Sequence, residues 1–223
     1  EMDRIRLLLQ LPLFGFPKPS TLYRSFDRAP MHLWRAFLNR SSKLLERSGH
    51  TAVDSTFFER HQASTHYLRR TDRSVETLKV TFLIDTAEQA IIDVHCSAKW
   101  PNDAVVGPKL TSRNSNKMVS LAADKGYDSA AFRDELRENG VRPLIKHRLY
   151  QPIDHAHNAR IDDERYNQRQ LTETVNSAIK RSILDSVRSI TWFLQFREVI
   201  LAATVHNIKR STSSESRFRT GIQ

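Results

Sequence analysis

Between residues 51 and 99 the chain reads as a succession of strands, and this run limits the possible folds more than any other feature. The segments "TAVDSTFF" (51–58), "STHYLRR" (64–70), "ETLKVTFLID" (76–85) and "QAIIDVHCSAK" (89–99) are rich in β-branched and aromatic residues. In the third, Leu78, Val80, Phe82 and Ile84 alternate and share one face. Further on, "VSLAAD" (119–124) predicts a short buried strand, "DSAAFRDELRENG" a helix opened by Asp128 and closed by Gly140, and "VRPLIK" another strand. Strand, helix and strand in that order read as a parallel crossover. Consecutive strands followed by such a crossover predict an α/β protein with a mixed sheet flanked by helices.

Residues 1–49 read as a short helical region: "MDRIRLLLQL", a proline-bearing break, "TLYRSFDRA" and "MHLWRAFLNRSSKLLERS", stopped by Gly49. Residues 50–210 then form the main domain, and the Ser-rich end "STSSESRFRTGIQ" (211–223) reads as a disordered tail. The stretch "WPNDAVVGPKLTSRNSNKM" is weakly patterned, a short helix broken by Pro108. A polar loop with three histidines leads into the helix "YNQRQLTETVNSAIKR" (166–181), and an amphipathic helix follows from "SITWFLQF". Trp34 and Trp192 fit core positions on their helices. The single cysteine, Cys96, excludes an internal disulfide framework and suits a reducing cytosol as a half-buried strand thiol. No run of 18 apolar residues exists, so no membrane span is expected. The chain begins with Glu1, and the natural N-terminus is expected to lie upstream.

With 35 Lys and Arg against 25 Asp and Glu, the formal charge is +10. Such an excess points to polyanions, of which nucleic acid is the commonest; a merely solvated basic surface accounts for it too. Three acids stand at telling places. Asp54 interrupts the first strand, Asp124 ends the buried run at 119–124, and Glu173 lies within the helix over 166–181. At about 100° per residue, Tyr166, Arg169, Glu173 and Lys180 fall within a stripe of roughly 60°, opposite Leu171, Val175, Ala178 and Ile179. A carboxylate inside a strand is costly unless paired, hydrogen-bonded or bound to metal. Three of them offer hard oxygen ligands suited to Mg²⁺ or Mn²⁺, and two such ions serve phosphodiester chemistry. Plainer roles fit the same residues: a strand end, a turn cap before Gly126, and a solvated Arg169–Glu173 helix pair.

The residues nevertheless resemble a known family. Tyr166, Arg169, Glu173 and Lys180 match Y-x2-R-x3-E-x6-K at every fixed position, the signature of the IS-four/IS-five group of DDE insertion-sequence transposases. "AVDSTFF" looks like the first-Asp strand of that family and "AADKGYDS" like its second-Asp motif. The acids are separated by 70 and 49 residues, and "RPLIKHR" and "FREVILAATVHNIKR" are similar to IS-five-like elements of halophilic archaea. The resemblance covers residues 20–210 and implies an RNase H-like fold. It also implies that Asp54, Asp124 and Glu173 coordinate two Mg²⁺ (or Mn²⁺) ions. Cleavage at the ends of an element would free a 3′-hydroxyl, which is then joined to target DNA. Arg169 and Lys180 would hold DNA phosphates, and Tyr166 would pack on or hydrogen-bond to the DNA. Lys125, Lys146 and Arg148 would add affinity. The implied partners are double-stranded DNA, as terminal inverted repeats and target, and further copies of the chain as a homo-oligomer. The implied location is cytoplasmic and nucleoid-associated. The stretch before the first-Asp strand is shorter than is usual in the family, so the alternative is a truncated, non-catalytic DNA-binding remnant.

Overall fold

The computed structural model describes residues 17–60, 77–99 and 101–220. The helix expected near residues 2–11, the strand expected over 64–70 and Trp100 lie outside the described residues.

Two helices come first, α1 (Pro19–Arg28) and α2 (Met31–Ser42). Ala29 between them is extended, as the ring of Pro30 demands of the residue before it. α2 buries Trp34, Leu38, Ser41 and Ser42, a helical spacing that sets one stripe against the sheet. Three strands follow: β1 (His50–Arg60), β2 (Leu78–Asp85) and β3 (Ala90–Ser97). Gly49 enters β1 at φ +76°, and a Cβ there would lie 2.9 Å from Val119 Cγ2. The Asp85 carboxylate fixes this corner by accepting the Gly49 N–H at 2.8 Å and the Ser48 N–H at 3.1 Å.

Next come α3 (Asp103–Thr111), β4 (Ser120–Ala123), a 3-10 turn at Lys125–Tyr127, α4 (Ala130–Glu138) and β5 (Arg142–Ile145). β1 is antiparallel to β2 and β2 to β3, whereas β1, β4 and β5 run parallel. The sheet order is β3-β2-β1-β4-β5. The mixed sheet and its parallel crossover are thus as the sequence predicts. Leu78, Val80, Phe82 and Ile84 do share a face, packing with Trp34, Val175, Ile179 and Val199. The opposite face packs Val53, Leu83 and Leu121 against Val106, Leu110, Phe132 and Leu136. All eight residues of β2 are buried, as befits a strand covered on both sides. Cys96 is buried, and burial pushes its thiol well above the ordinary range.

Several expectations are corrected. α3 runs through Pro108 rather than breaking there, and the Ser112 N–H donates to the Pro108 carbonyl at 2.9 Å. α4 is capped by Ser129, not Asp128; the Asp128 carboxylate is taken up by Arg133. The histidine-rich loop contains a helix, α5 (Pro152–Ala159), opened by a reciprocal Gln151–Asp154 cap. There His157 stacks on His147 at 3.6 Å. The helix expected over 166–181 is divided into α6 (Asp163–Asn167) and α7 (Gln170–Ser182). A two-residue strand, β6 (Ser186–Val187), pairs in parallel with the end of β1. The last helix, α8 (Trp192–Thr220), continues through residues 211–220, where the composition predicted a disordered tail. Its Ser211, Thr212 and Ser213 hydroxyls donate to the carbonyls of Ile208 and Lys209, so polar side chains are satisfied by the helix itself. Trp34 is a core residue, but Trp192, on the first turn of α8 beside Phe196, is 36% exposed. Among the described residues no helix is long and apolar enough to cross a membrane.

Candidate active site

Asp54 and Asp124 are brought together by register. Val53 pairs with Ala123 across the parallel β1–β4 ladder, so the two acids follow at one level on backbones about 4.8 Å apart. Val53 and Ala123 both enter the core beneath α3 and α4. Alternation then turns the next residues to the other face, and the extended backbone of Asp124 carries it past the strand end. That face is the one α7 covers, burying Thr172, Val175, Asn176 and Ile179. Glu173 lies in the first turn of α7 on its exposed side.

The electrostatics of Asp54 report the company it keeps. Its carboxyl is raised from 3.8 to about 6, chiefly by burial. The charges of Asp103, Asp124 and Glu173 push in the same direction, against a hydrogen bond from the Ser55 backbone. Among the described residues neither Asp54, Asp124 nor Glu173 takes part in an ion pair. The donors at this edge are carboxylate oxygens, the chemistry that Mg²⁺ or Mn²⁺ prefers. As they stand, no three His, Cys, Asp or Glu side chains among the described residues converge closely enough to hold an ion. The three acids therefore stand at one edge of the sheet without converging on a point.

Of the stripe Tyr166, Arg169 and Lys180, the structure packs the first two together across the division of the helix. Arg169, Leu171 and Thr172 donate their N–H groups three residues back, to Tyr166, Gln168 and Arg169, a tight turn that continues the helical path. Tyr166 is buried, with Lys146 Nζ 4.5 Å and Arg169 Cζ 5.3 Å from its ring centre. Arg169 Nε is buried without a hydrogen-bond partner among the described residues. Lys146 also pairs with Asp163 at 2.7 Å, and Lys180 Nζ lies 5.4 Å from the Phe58 ring. Arg148 is exposed beyond β5, where its Nε donates to the carbonyl of Lys125 at 3.4 Å. Lys125, Lys146 and Arg148 thus stand past the carboxyl ends of β4 and β5, at the same sheet edge as Asp124.

The sequence reading missed Asp103. It opens α3, and its Oδ1 accepts the Ser55 hydroxyl at 2.7 Å and Lys79 Nζ at 2.9 Å. A signal was present in Lys79: a lysine amid the apolar residues of such a strand must find a buried anion. Nothing local said which.

A family profile described as a transposase DDE domain matches residues 46–208. No curated protein matches the chain. Among solved structures the chain is similar to piggyBac transposase in a synaptic complex with hairpin DNA. That match has a TM-score of 0.53 at 10% identity and covers 96% of this chain and 58% of that one. A chain of the simian T-cell lymphotropic virus intasome in complex with PP2A regulatory subunit B56 gamma matches at TM-score 0.40 and 12% identity, covering 69% and 46% respectively. The Mos1 transposase paired-end complex with left transposon end matches at 0.31 and 10%, covering 79% and 69%. The chain spans about half the length of the first two. With the observed sheet order, the piggyBac likeness identifies the fold as RNase H-like.

Proposed function

The chain belongs to the transposase DDE domain family, and from that premise we propose that it is a DNA transposase. It cleaves at insertion-sequence ends and transfers the freed 3′-hydroxyl into target DNA. The Tyr166, Arg169, Glu173 and Lys180 pattern supports a place in the IS-four/IS-five group, IS-five-like and similar to elements of halophilic archaea. Residues 50–210 form the catalytic domain in this reading, with residues 1–49 serving packing or DNA-end binding.

The observation that carries the proposal is the shared edge of β1 and β4. There Asp54 is raised to about 6 by burial and by the charges of Asp103, Asp124 and Glu173. Asp54, Asp124 and Glu173 would hold Mg²⁺ or Mn²⁺, two ions in all, whose Lewis acidity would activate water and stabilise the leaving oxygen. The protein's own work is to bring the phosphodiester to that edge. Arg169 at the start of α7 and Lys180 on it, with Lys125, Lys146 and Arg148 past the strand ends, hold phosphates by charge-assisted contacts. Tyr166, buried against Lys146 and Arg169, fixes their direction rather than reaching freely into solvent. The hairpin DNA bound by the piggyBac relative supports double-stranded DNA as the partner. Cutting and joining two element ends calls for a homo-oligomer, and a DNA substrate for a nucleoid-associated, cytoplasmic location.

Nicking of supercoiled plasmid carrying the gene's own genomic flanks tests this. Mg²⁺- or Mn²⁺-dependent nicks at those flanks are expected, with Glu173→Gln abolishing them while DNA binding persists. Binding without nicking by the unaltered chain would instead leave a non-catalytic DNA-binding remnant. Near-normal cleavage by Glu173→Gln would remove Glu173 from the site.

A further inference from the structure

Asp103 is the centre of a node that joins α3 to β1, to β2 and, through Ser55, to the turn after β4. A carboxylate only accepts, so the single hydroxyl proton of Ser55 is committed to Asp103 Oδ1 at 2.7 Å. The Thr81 hydroxyl, 2.8 Å from Ser55 Oγ, must then donate to Ser55. The buried Tyr127 hydroxyl lies 3.2 Å from the same oxygen and, with the Ser55 proton committed, is the donor of that bond. Lys79 is buried and supplies the counter-charge to Oδ1 at 2.9 Å, while its other bond, also 2.9 Å, goes to the Pro101 carbonyl. Asp103 also stands in the first turn of α3, the helix end favourable to an anion. Asp103 Oδ2 packs against the second-Asp turn, where a Cβ on Gly126 would lie 3.5 Å away.

The positions of the donors give the node its meaning. Ser55 is the neighbour of Asp54 and points to the opposite face of β1. Tyr127 closes the 3-10 turn that Asp124 begins. Lys79 and Thr81 come from β2, on the other side of β1. Gripping Ser55 from behind therefore fixes the backbone from which Asp54 projects, and gripping Tyr127 fixes the turn that leaves Asp124. We infer that Asp103, charge-balanced by Lys79, is a positioning residue that locks the Asp54 strand to the Asp124 turn and so sets the geometry of the cation site. The inference rests on the metal-dependent reading proposed above. Asp103 Oδ1 is itself occupied by the Ser55 hydroxyl and Lys79 Nζ and takes no part as a ligand.

Mn²⁺ binding by the full chain, followed by the electron paramagnetic resonance of free Mn²⁺, tests the role without relying on turnover. Outer-shell partners of metal sites are typically worth about 10–100-fold in affinity, and Asp103→Asn is expected to weaken binding by that factor. Removing a charge near Asp54 would weaken cation binding as well, so Ser55→Ala is the discriminating variant: it cuts the link and keeps the charge. It is expected to weaken Mn²⁺ binding about 10-fold while thermal unfolding shows a folded protein. Should Asp103→Asn fail to fold, Ser55→Ala carries the test alone. Unchanged affinity in folded Ser55→Ala would overturn the inference. Unaltered chain that binds no Mn²⁺, or Asp54→Asn that binds it normally, would instead defeat the metal reading and this inference with it.

Discussion

Asp54 is the residue where cost and use meet. A carboxyl raised from 3.8 to about 6 favours its protonated form in the folded chain. Its folding contribution is therefore most favourable below the unfolded value and is lost as pH rises through about 6. A neutral replacement escapes that loss. In metal-free buffer, Asp54→Asn should match the unaltered chain near pH 4 and exceed it by up to about 3 kcal/mol at pH 8. Urea denaturation at the two pH values measures this, and destabilisation at both would show that Asp54 is comfortably paired. The sequence carried this residue openly, because an acid between Val53 and a pair of phenylalanines breaks the pattern of a strand. Asp103 gave no such sign. An acid in the first turn of a helix looks like ordinary helix-end electrostatics, and its partners Ser55 and Lys79 are distant in sequence.

At the scale of elements, period-two alternation made β2 legible, and a crossover made β4 and β5 legible as parallel strands. β6 was not: two residues, Ser186 and Val187, carry no period at all, and only their pairing with Glu59 and Arg60 defines them. The division between α6 and α7 was equally hidden. A helical wheel assumes a continuous helix, whereas the tight bonds around Gln168 and Arg169 depend on backbone geometry that side-chain spacing does not encode. Gly49 is a corrected case: the sequence reads it as the stop of the helix that begins at Met31, but α2 already ends at Ser42 and Gly49 instead turns the chain into β1. Its left-handed backbone delivers β1 next to Val119, the residue that leads into β4. Gly49→Ala should therefore cost about 1–3 kcal/mol of stability, read by equilibrium denaturation, and its strain falls at the start of the two strands that carry Asp54 and Asp124. A neutral effect would mean that this corner relaxes freely.

Over the whole molecule, a net charge of +10 coexists with a negative edge. The two are compatible if DNA is held by the basic surroundings and cations occupy the edge between them. Binding to DNA should then weaken steeply with salt, the logarithm of affinity falling by about 0.9 per phosphate neutralised for each unit in the logarithm of salt concentration. Fluorescence anisotropy at several salt concentrations checks this, and an affinity independent of salt would contradict backbone contacts. The central claim, however, is that Asp54, Asp124 and Glu173 serve one divalent-cation site. Diffraction from crystals grown with Mn²⁺ and a DNA duplex, read by the anomalous signal of manganese, tests it most directly. The account predicts manganese at the carboxyl ends of β1 and β4, ligated by Asp54 and Asp124, with Glu173 of α7 closing on the same site. Manganese bound only elsewhere, with the three carboxylates still apart on the DNA complex, would contradict it.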